Sequence, residues 1–233
     1  MNTTLCFTTP TVIRPDILRE TYSSFQENLG VDFKQFTLFL NIDNVAVSTN
    51  YTYEDVVAVA EQFFGKVKAN LTNSPSFPLA VKWLWSQVAD YKYTFHLEDD
   101  WLMLRKVNLD DMITALEAAK HKSGPVWQCR LPKVNSANQP AVCMTPSVLR
   151  SDLIYAMVKS FHGDGDPEKQ LCRHLINTYG THLLAVIYPN KKGIVKDNGA
   201  DWRAERGLLK PRDIGFSKDK FTHWVYSDGK PAG

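Results

Sequence analysis

An α/β fold, a mixed and mostly parallel sheet flanked by helices, is what the sequence predicts, on three observations. Short apolar strand patterns alternate with helix-period patterns through roughly the first hundred residues. The connections between strand patterns are long enough for helical crossovers, which join parallel neighbours with right-handed topology. The strand patterns end in polar residues, Thr8-Thr9, Asp43-Asn44 and Glu98-Asp99-Asp100, and ligands of such sheets lie beyond the carboxyl ends of the strands.

Leu5-Cys6-Phe7 reads as a short buried strand and Thr8-Thr9-Pro10-Thr11 as a polar loop after it. Pro15 suits the first position of a helix, because its missing N–H is unpaired there anyway. Ile17, Leu18, Tyr22, Phe25 and Leu29 follow at helical spacing and Gly30 ends the run. Thr37 to Ile42 is the second strand. Thr52 and Asp55 form a capping-box pattern ahead of Val56, Val59, Ala60 and Phe63. Val67 to Asn70 is a third strand, Pro78 opens a helix with Leu79, Trp83 and Val88, and Tyr93 to Leu97 is a fourth strand. Asn108 caps a helix whose first turn carries Asp110 and Asp111. Val126 to Leu131 and Ala141 to Met144 read as strands around a polar loop. Pro146 starts a helix reaching Phe161, Gly163 to Asp166 is a turn, Asp166-Pro167 starts a helix ending near Gly180, and Leu183 to Tyr188 is the last strand. No linker or repeat divides the chain, so residues 1–233 read as one domain, with a regular first half over 1–105 and a less regular second half over 106–233.

Bulk properties narrow the class. The 233 residues are 44% hydrophobic and 22% charged, enough for a sizeable core in a soluble protein. A net charge of +2 excludes a protein that coats nucleic acid with its whole surface. From Asn190 onward there are ten Lys/Arg against six Asp/Glu, a local excess that suits an anionic ligand. Cys6, Cys129, Cys143 and Cys172 are widely spaced; Cys6, Cys129 and Cys172 sit in apolar runs, so buried thiols are expected rather than a disulfide framework, and the absence of a CxxC pair disfavours a zinc site. Met1 to Thr4 carries no signal-peptide pattern and no window approaches a membrane span, which predicts a cytoplasmic protein with no membrane partner.

The most informative segment is Tyr93-Thr94-Phe95-His96-Leu97-Glu98-Asp99-Asp100-Trp101. Three consecutive carboxylates between apolar stretches repel one another and are costly beside a core. A cation removes that cost, and a hard divalent ion shared with a phosphate is the usual one. His96, Trp83, Trp85 and Trp101 read as core residues.

With these elements in place, the chain resembles the GT-A class of nucleotide-sugar glycosyltransferases. Phe7-Thr8-Thr9-Pro10 through Arg14 is similar to the opening nucleotide-binding βα unit. Leu38 to Asp43 is similar to the second strand, and His96 to Trp101 to the DxD element in a Glu-Asp-Asp form. The resemblance implies a metal-dependent, inverting enzyme that moves a sugar from a nucleotide diphosphate sugar, a UDP-sugar foremost, to a hydroxyl acceptor. It implies that Asp100 binds Mn2+ or Mg2+ and that Glu98 and Asp99 contact the ribose or support the metal. Asp43, with Asn44 beside it, would face the base, and Thr8, Thr9 and Arg14 would lie near the nucleotide. A base for the acceptor hydroxyl belongs downstream, and Asp166, then Glu168, occupy that place. Asp166 also reads simply as a helix cap. The polar segment Lys192 to Arg203 follows the last strand where the class often closes a flexible segment over the donor. It lacks the usual histidine, leaving Lys196, Asp197 or Arg203 for that contact. Small enzymes of this kind occur in viruses and bacteriophages, where some glycosylate hydroxymethylated DNA bases, so DNA or another anionic polymer is an expected acceptor and host cytoplasm an expected location. The alternatives are a nucleotidyltransferase, disfavoured by a first loop without glycine or lysine, and a non-catalytic nucleotide-sugar-binding protein.

Overall fold

The computed structural model describes residues 4–46, 50–163, 165–189, 193–209, 224–226 and 231–232. Met1 to Thr3, Asp164 of the expected turn, Lys192 of the polar segment and most of the basic C-terminal stretch lie outside the described residues. Chain order runs β1 (Leu5–Ile13), α1 (Pro15–Leu29), a 3-10 turn (Phe33–Gln35), β2 (Thr37–Ala46), α2 (Tyr53–Phe63), β3 (Lys66–Thr72), α3 (Phe77–Ser86) and β4 (Tyr93–His96). It continues with β5 (Trp101–Met103), α4 (Leu109–Ala118), β6 (Gln128–Arg130), β7 (Ser147–Arg150), α5 (Ser151–Val158), α6 (Pro167–Tyr179), β8 (Ala185–Ile187), β9 (Val195–Asp197) and α7 (Gly199–Glu205). Three short strands, β10 (Leu208–Leu209), β11 (Trp224–Tyr226) and β12 (Pro231–Ala232), form a small sheet of their own.

The main sheet has the strand order β3-β2-β1-β4-β7-β6-β8. β1, β2, β3 and β4 are parallel, β7 runs against both β4 and β6, and β8 is parallel to β6. This is the mixed, mostly parallel sheet expected from the alternation. Chain order reverses between β1 and β4, which makes the carboxyl ends of those two strands the topological switch point. Helices cover both faces. Phe7 and Phe95 stack beneath α1 and α2 with Phe33 and Phe64, and burying each such ring contributes about 1.5–3 kcal/mol. Trp85, Trp127, Phe161 and Leu171 fill the opposite face beneath α3, α5 and α6.

Local signals explain most boundaries. Pro15 opens α1, and Gly30 ends it at φ 64, a left-handed conformation that glycine adopts without strain. The Thr52/Asp55 capping box is formed in both directions. The Asn108 side chain accepts from the Asp110 N–H at 2.8 Å.

Four expectations need correction. Thr8-Thr9-Pro10-Thr11 is not a loop but the second half of β1, buried throughout. Pro10 is tolerated because β1 pairs with β4 only as far as Thr8, so the missing N–H falls where that neighbour has ended. Ala141 to Met144 forms no strand. Instead the Gln128 side chain grips the Cys143 backbone on both sides, donating to its carbonyl at 2.6 Å and accepting from its N–H at 3.0 Å. The residues after Pro146 form β7 before a helix begins at Ser151. The polar segment after the last sheet strand is ordered as β9, paired antiparallel with β5, followed by α7. The cysteines are free thiols; Cys6 and Cys129 are buried as expected, Cys143 is buried too, and Cys172, expected to be buried, is only half-buried. Among the described residues no helix is long and apolar enough to cross a membrane.

Candidate functional site

The acidic run lies at the switch point, between the end of β4 and the start of β5. Arg14, one residue past β1, reaches across the crevice to it. Arg14 Nε donates to Asp99 Oδ2 at 2.7 Å, and Nη2 donates to Asp99 Oδ1 at 2.6 Å and to Asp100 Oδ2 at 3.0 Å. Thr11 adds its hydroxyl to Asp99 Oδ2 at 2.6 Å, and the Thr21 hydroxyl holds the Asp99 carbonyl at 2.7 Å. Arg14 is 6% exposed, Asp99 3% and Asp100 7%, so this is a buried charge cluster. Burial alone pulls the Arg14 pKa down, but the Asp99 and Asp100 charges outweigh it and the guanidinium is held protonated above its ordinary range. Removing one partner of such a pair typically costs about 3–5 kcal/mol, because a charge is left buried and uncompensated.

α7 roofs the cluster. The Asn198 N–H donates to the Asp100 carbonyl at 2.7 Å. A Cβ at Gly199 would come within 2.2 Å of Asp100 Oδ2, so any larger residue would push either α7 or the Arg14-held carboxylate aside. The Trp202 ring lies 5.3 Å from the Arg14 guanidinium and 4.5 Å from that of Arg206. Asp16 ties the roof to α1 by accepting from Trp202 Nε1 at 3.1 Å and Arg206 Nη2 at 2.8 Å.

The other expected donor-side residues divide. Asp43, 7% exposed near the end of β2, accepts from Asn41 Nδ2 and from the Ser76 N–H, both at 3.0 Å. Burial raises its pKa to about 6, although both hydrogen bonds pull the other way. Asn44 is exposed beside it. Asn41, Asn70 and Thr72 continue the polar line along the ends of β2 and β3 through hydrogen bonds of 2.7 and 3.3 Å to Asn41 Oδ1. Glu98 is half-buried. Lys196 is exposed and ion-paired with Asp201, and Arg203 is half-buried on α7. Thr8 and Thr9 are wholly buried, and the Thr8 hydroxyl is bonded to His96 Nδ1 at 3.1 Å. Thr8, Thr9 and Asp99, which were expected near the nucleotide or in support of the metal, are all buried, with Asp99 held by Arg14 and Thr11. His96 is a core residue as expected, and burial lowers its pKa to about 3.

Asp166 is the N-cap of α6. Its Oδ1 accepts from the Glu168 N–H at 2.8 Å and the Lys169 N–H at 3.4 Å. Glu168 is solvent-reachable yet surrounded by enough protein to raise its pKa, with Asp166 pushing the same way and Arg130 and Lys133 opposing. Lys133 lies 3.7 Å from Asp197 Oδ2 and over the Trp101 ring at 4.9 Å, which places it beside the residue after the acidic run.

A metal has modest protein support. Among the described residues no three His, Cys, Asp or Glu side chains are grouped to hold one. A hard cation that shares its shell with phosphates needs only one or two carboxylates, and Asp100 with Glu98 fits that smaller donor set. Sequence reasoning missed Thr11, Thr21, Ser76, Gly199 and Trp202. Only the Asn198-Gly199 pair carries a local signal; the others matter through contacts distant in sequence.

No protein-family model matches the chain, and no curated protein matches it. Among solved structures, residues 1–349 of TarS from S. aureus are 13% identical, with a TM-score of 0.49 over 84% of this chain and 61% of that one. TarS 1–349 in complex with UDP-GlcNAc gives 12% identity and a TM-score of 0.48 over 83% of this chain and 58% of that one. A 4-diphosphocytidyl-2C-methyl-D-erythritol synthase from Anaerococcus prevotii gives 12% identity and a TM-score of 0.48 over 78% of this chain and 86% of that one. The chain spans about three fifths of the TarS 1–349 polypeptide. At TM-scores below 0.5 these likenesses bear no weight, and the fold and site stand on the geometry above.

Proposed function

We propose that the protein is a nucleotide-sugar transferase of the glycosyltransferase kind. The observation that carries the reading is the acidic run at the β1/β4 switch point of a mostly parallel sheet, the position where such sheets bind nucleotides. Asp43 and the polar line of Asn41, Asn70 and Thr72 offer hydrogen-bonding groups to a base from the ends of β2 and β3. Asp100 and Glu98 would hold Mn2+ or Mg2+, whose positive charge would lie opposite the leaving diphosphate. Arg14 fixes Asp99 and orients Asp100.

Transfer requires that a carboxylate take the acceptor hydroxyl's proton as its oxygen bonds to the sugar's anomeric carbon, while the bond from that carbon to the diphosphate breaks and the nucleoside diphosphate leaves. Glu168 suits the proton-accepting role better than Asp166. Its raised pKa brings it toward the working range of a base, whereas Asp166 is engaged in capping α6.

The test is a thermal-shift panel of nucleotide sugars with and without manganese, since a ligand of the native state raises apparent stability by mass action. A response confined to one nucleotide class and dependent on metal is expected, and Asp100→Ala abolishes the metal dependence. Full metal-dependent donor binding by Asp100→Ala refutes the metal assignment. Arg14 already offsets part of the acidic charge, which favours a second reading as a donor-binding protein without turnover; donor binding with neither transfer nor hydrolysis would select it.

A further inference from the structure

Arg130 stands at the carboxyl end of β6. Ser147 of β7 pairs with it on one side and with His96 of β4 on the other, so all three share one row of the sheet. Two strand spacings, about 10 Å, separate Arg130 from His96, which lies two residues before the acidic run. Arg130 is 7% exposed. Its Nη1 donates to the carbonyls of Gln139 at 2.7 Å and Ala141 at 3.0 Å, which fixes the guanidinium plane. Its Nε is buried and has no partner among the described residues. No described carboxylate comes within ion-pair distance of it.

A buried guanidinium with an unmatched donor is costly, and a planar two-donor edge matches phosphate oxygens. Lys133 supplies a second positive charge from the same strand's extension. It stands beside Val195 in a parallel bridge, 38% exposed, and faces Asp197 rather than burying its charge. Arg130 grips the Ala141 carbonyl, and the Cys172 thiol of α6 donates to the neighbouring Val142 carbonyl at 3.9 Å. Glu168 lies four residues before Cys172 on the same side of α6, where both cations oppose its raised pKa. The acidic run and Asp43 lie on the other side of the row, where the donor is assigned.

We propose that Arg130 and Lys133 form an anion subsite that holds a phosphate group of the acceptor and presents a neighbouring acceptor hydroxyl to Glu168. The assignment of this anion to the acceptor rests on the transferase reading. The substrate class is thus a phosphate-bearing hydroxyl compound, with Arg130 as the geometric anchor and Lys133 as the solvent-facing contact.

The probe is inorganic phosphate, titrated calorimetrically without metal into the intact protein and three variants. Wild type binds it. Arg130→Gln loses binding, Lys133→Gln weakens it roughly three- to tenfold, and Glu168→Gln tightens it roughly threefold by removing a like charge. If Arg130→Gln fails to fold for want of its carbonyl contacts, Lys133→Gln and Glu168→Gln decide, since both alter solvent-reachable side chains. No phosphate binding by wild type at millimolar concentrations, or unchanged affinity in those two variants, overturns the subsite. Competition between a nucleoside diphosphate and phosphate for this site overturns the acceptor assignment and gives the anion to the donor. Donor binding, read separately by thermal shift, reports on the transferase reading, so the two fail independently.

Discussion

Gly199→Ala sets two effects of opposite sign against each other. Alanine is the better helix former, and at an open helix position it would stabilise the protein by up to about 1 kcal/mol, less in the first turn. Here the added methyl meets Asp100 Oδ2 at 2.2 Å and Asp100 Cγ at 2.9 Å, closer than real contacts allow. Either α7 lifts or the carboxylate swings away from Arg14 Nη2, which it meets at 3.0 Å. Overpacking costs about 1–3 kcal/mol, and losing a charge-assisted hydrogen bond costs about 1.5–3 kcal/mol. Steric conflict wins, and the expected net change is a destabilisation of about 1–4 kcal/mol. Urea unfolding followed by tryptophan fluorescence measures it. A variant as stable as wild type, or more stable, would show that α7 does not rest on Asp100 and would remove the roof from the site.

Other consequences can be checked on the same protein. His96 is buried neutral with its pKa lowered to about 3, so the unfolded chain binds its proton first as pH falls from 6.5, and stability drops between pH 6.5 and about 3 by roughly 4–5 kcal/mol at the limit. His96→Gln removes that part of the slope in urea titrations across the range, and an unchanged slope refutes the assignment. Asp43 works in the opposite sense: its pKa is raised to about 6, so the native state binds the proton first and stability declines as pH rises from 3.8 to about 6. Asp43→Asn abolishes that decline, and in the wild type donor binding changes with a midpoint near pH 6. Thr52→Ala loses the capping box and costs about 1 kcal/mol, measured by urea midpoint.

Where local chemistry decides, the sequence was readable. The Pro15 start, the Gly30 stop, the Thr52/Asp55 box and the helical spacing of Tyr22 and Phe25 depend on residues a few positions apart, and each element formed as expected. Distant partners decided the rest. Thr8 to Thr11 looked like a loop because the proline and hydroxyls are polar punctuation, yet β2 pairs with the whole segment and His96 takes the Thr8 hydroxyl. Ser147 to Arg150 became a strand because β4 and β6 offered edges on both sides. Trp101 to Met103 is the partner that turned a glycine-containing polar segment into β9. The carboxylate run was visible as a site, but the sharing of labour within it was not. That depends on Arg14, eighty-five residues from Asp99 in sequence.

That sharing of labour also says which carboxylate a ligand can take. The three acids were expected to call for a cation, and the fold supplies one from its own chain. Arg14 does not serve them equally. Asp99 receives two guanidinium N–H groups and the Thr11 hydroxyl at 2.6–2.7 Å, with its carbonyl held by Thr21, whereas Asp100 receives one Arg14 N–H at 3.0 Å. Giving Asp100 to a metal would loosen the longest of the three Arg14 contacts, whereas giving up Asp99 would break the short hydrogen bonds that join the acidic run to Thr11 and Arg14 at the end of β1. Asp99→Asn is therefore expected to lower stability by about 3–5 kcal/mol. Asp100→Asn, which keeps an oxygen able to accept from Arg14, is expected to cost less than Asp99→Asn, about 1.5–3 kcal/mol, while removing the metal-dependent part of the donor thermal shift. Equal losses of stability in the two variants, measured by urea unfolding without ligand, would refute the asymmetry and with it the choice of Asp100 as the metal-facing acid.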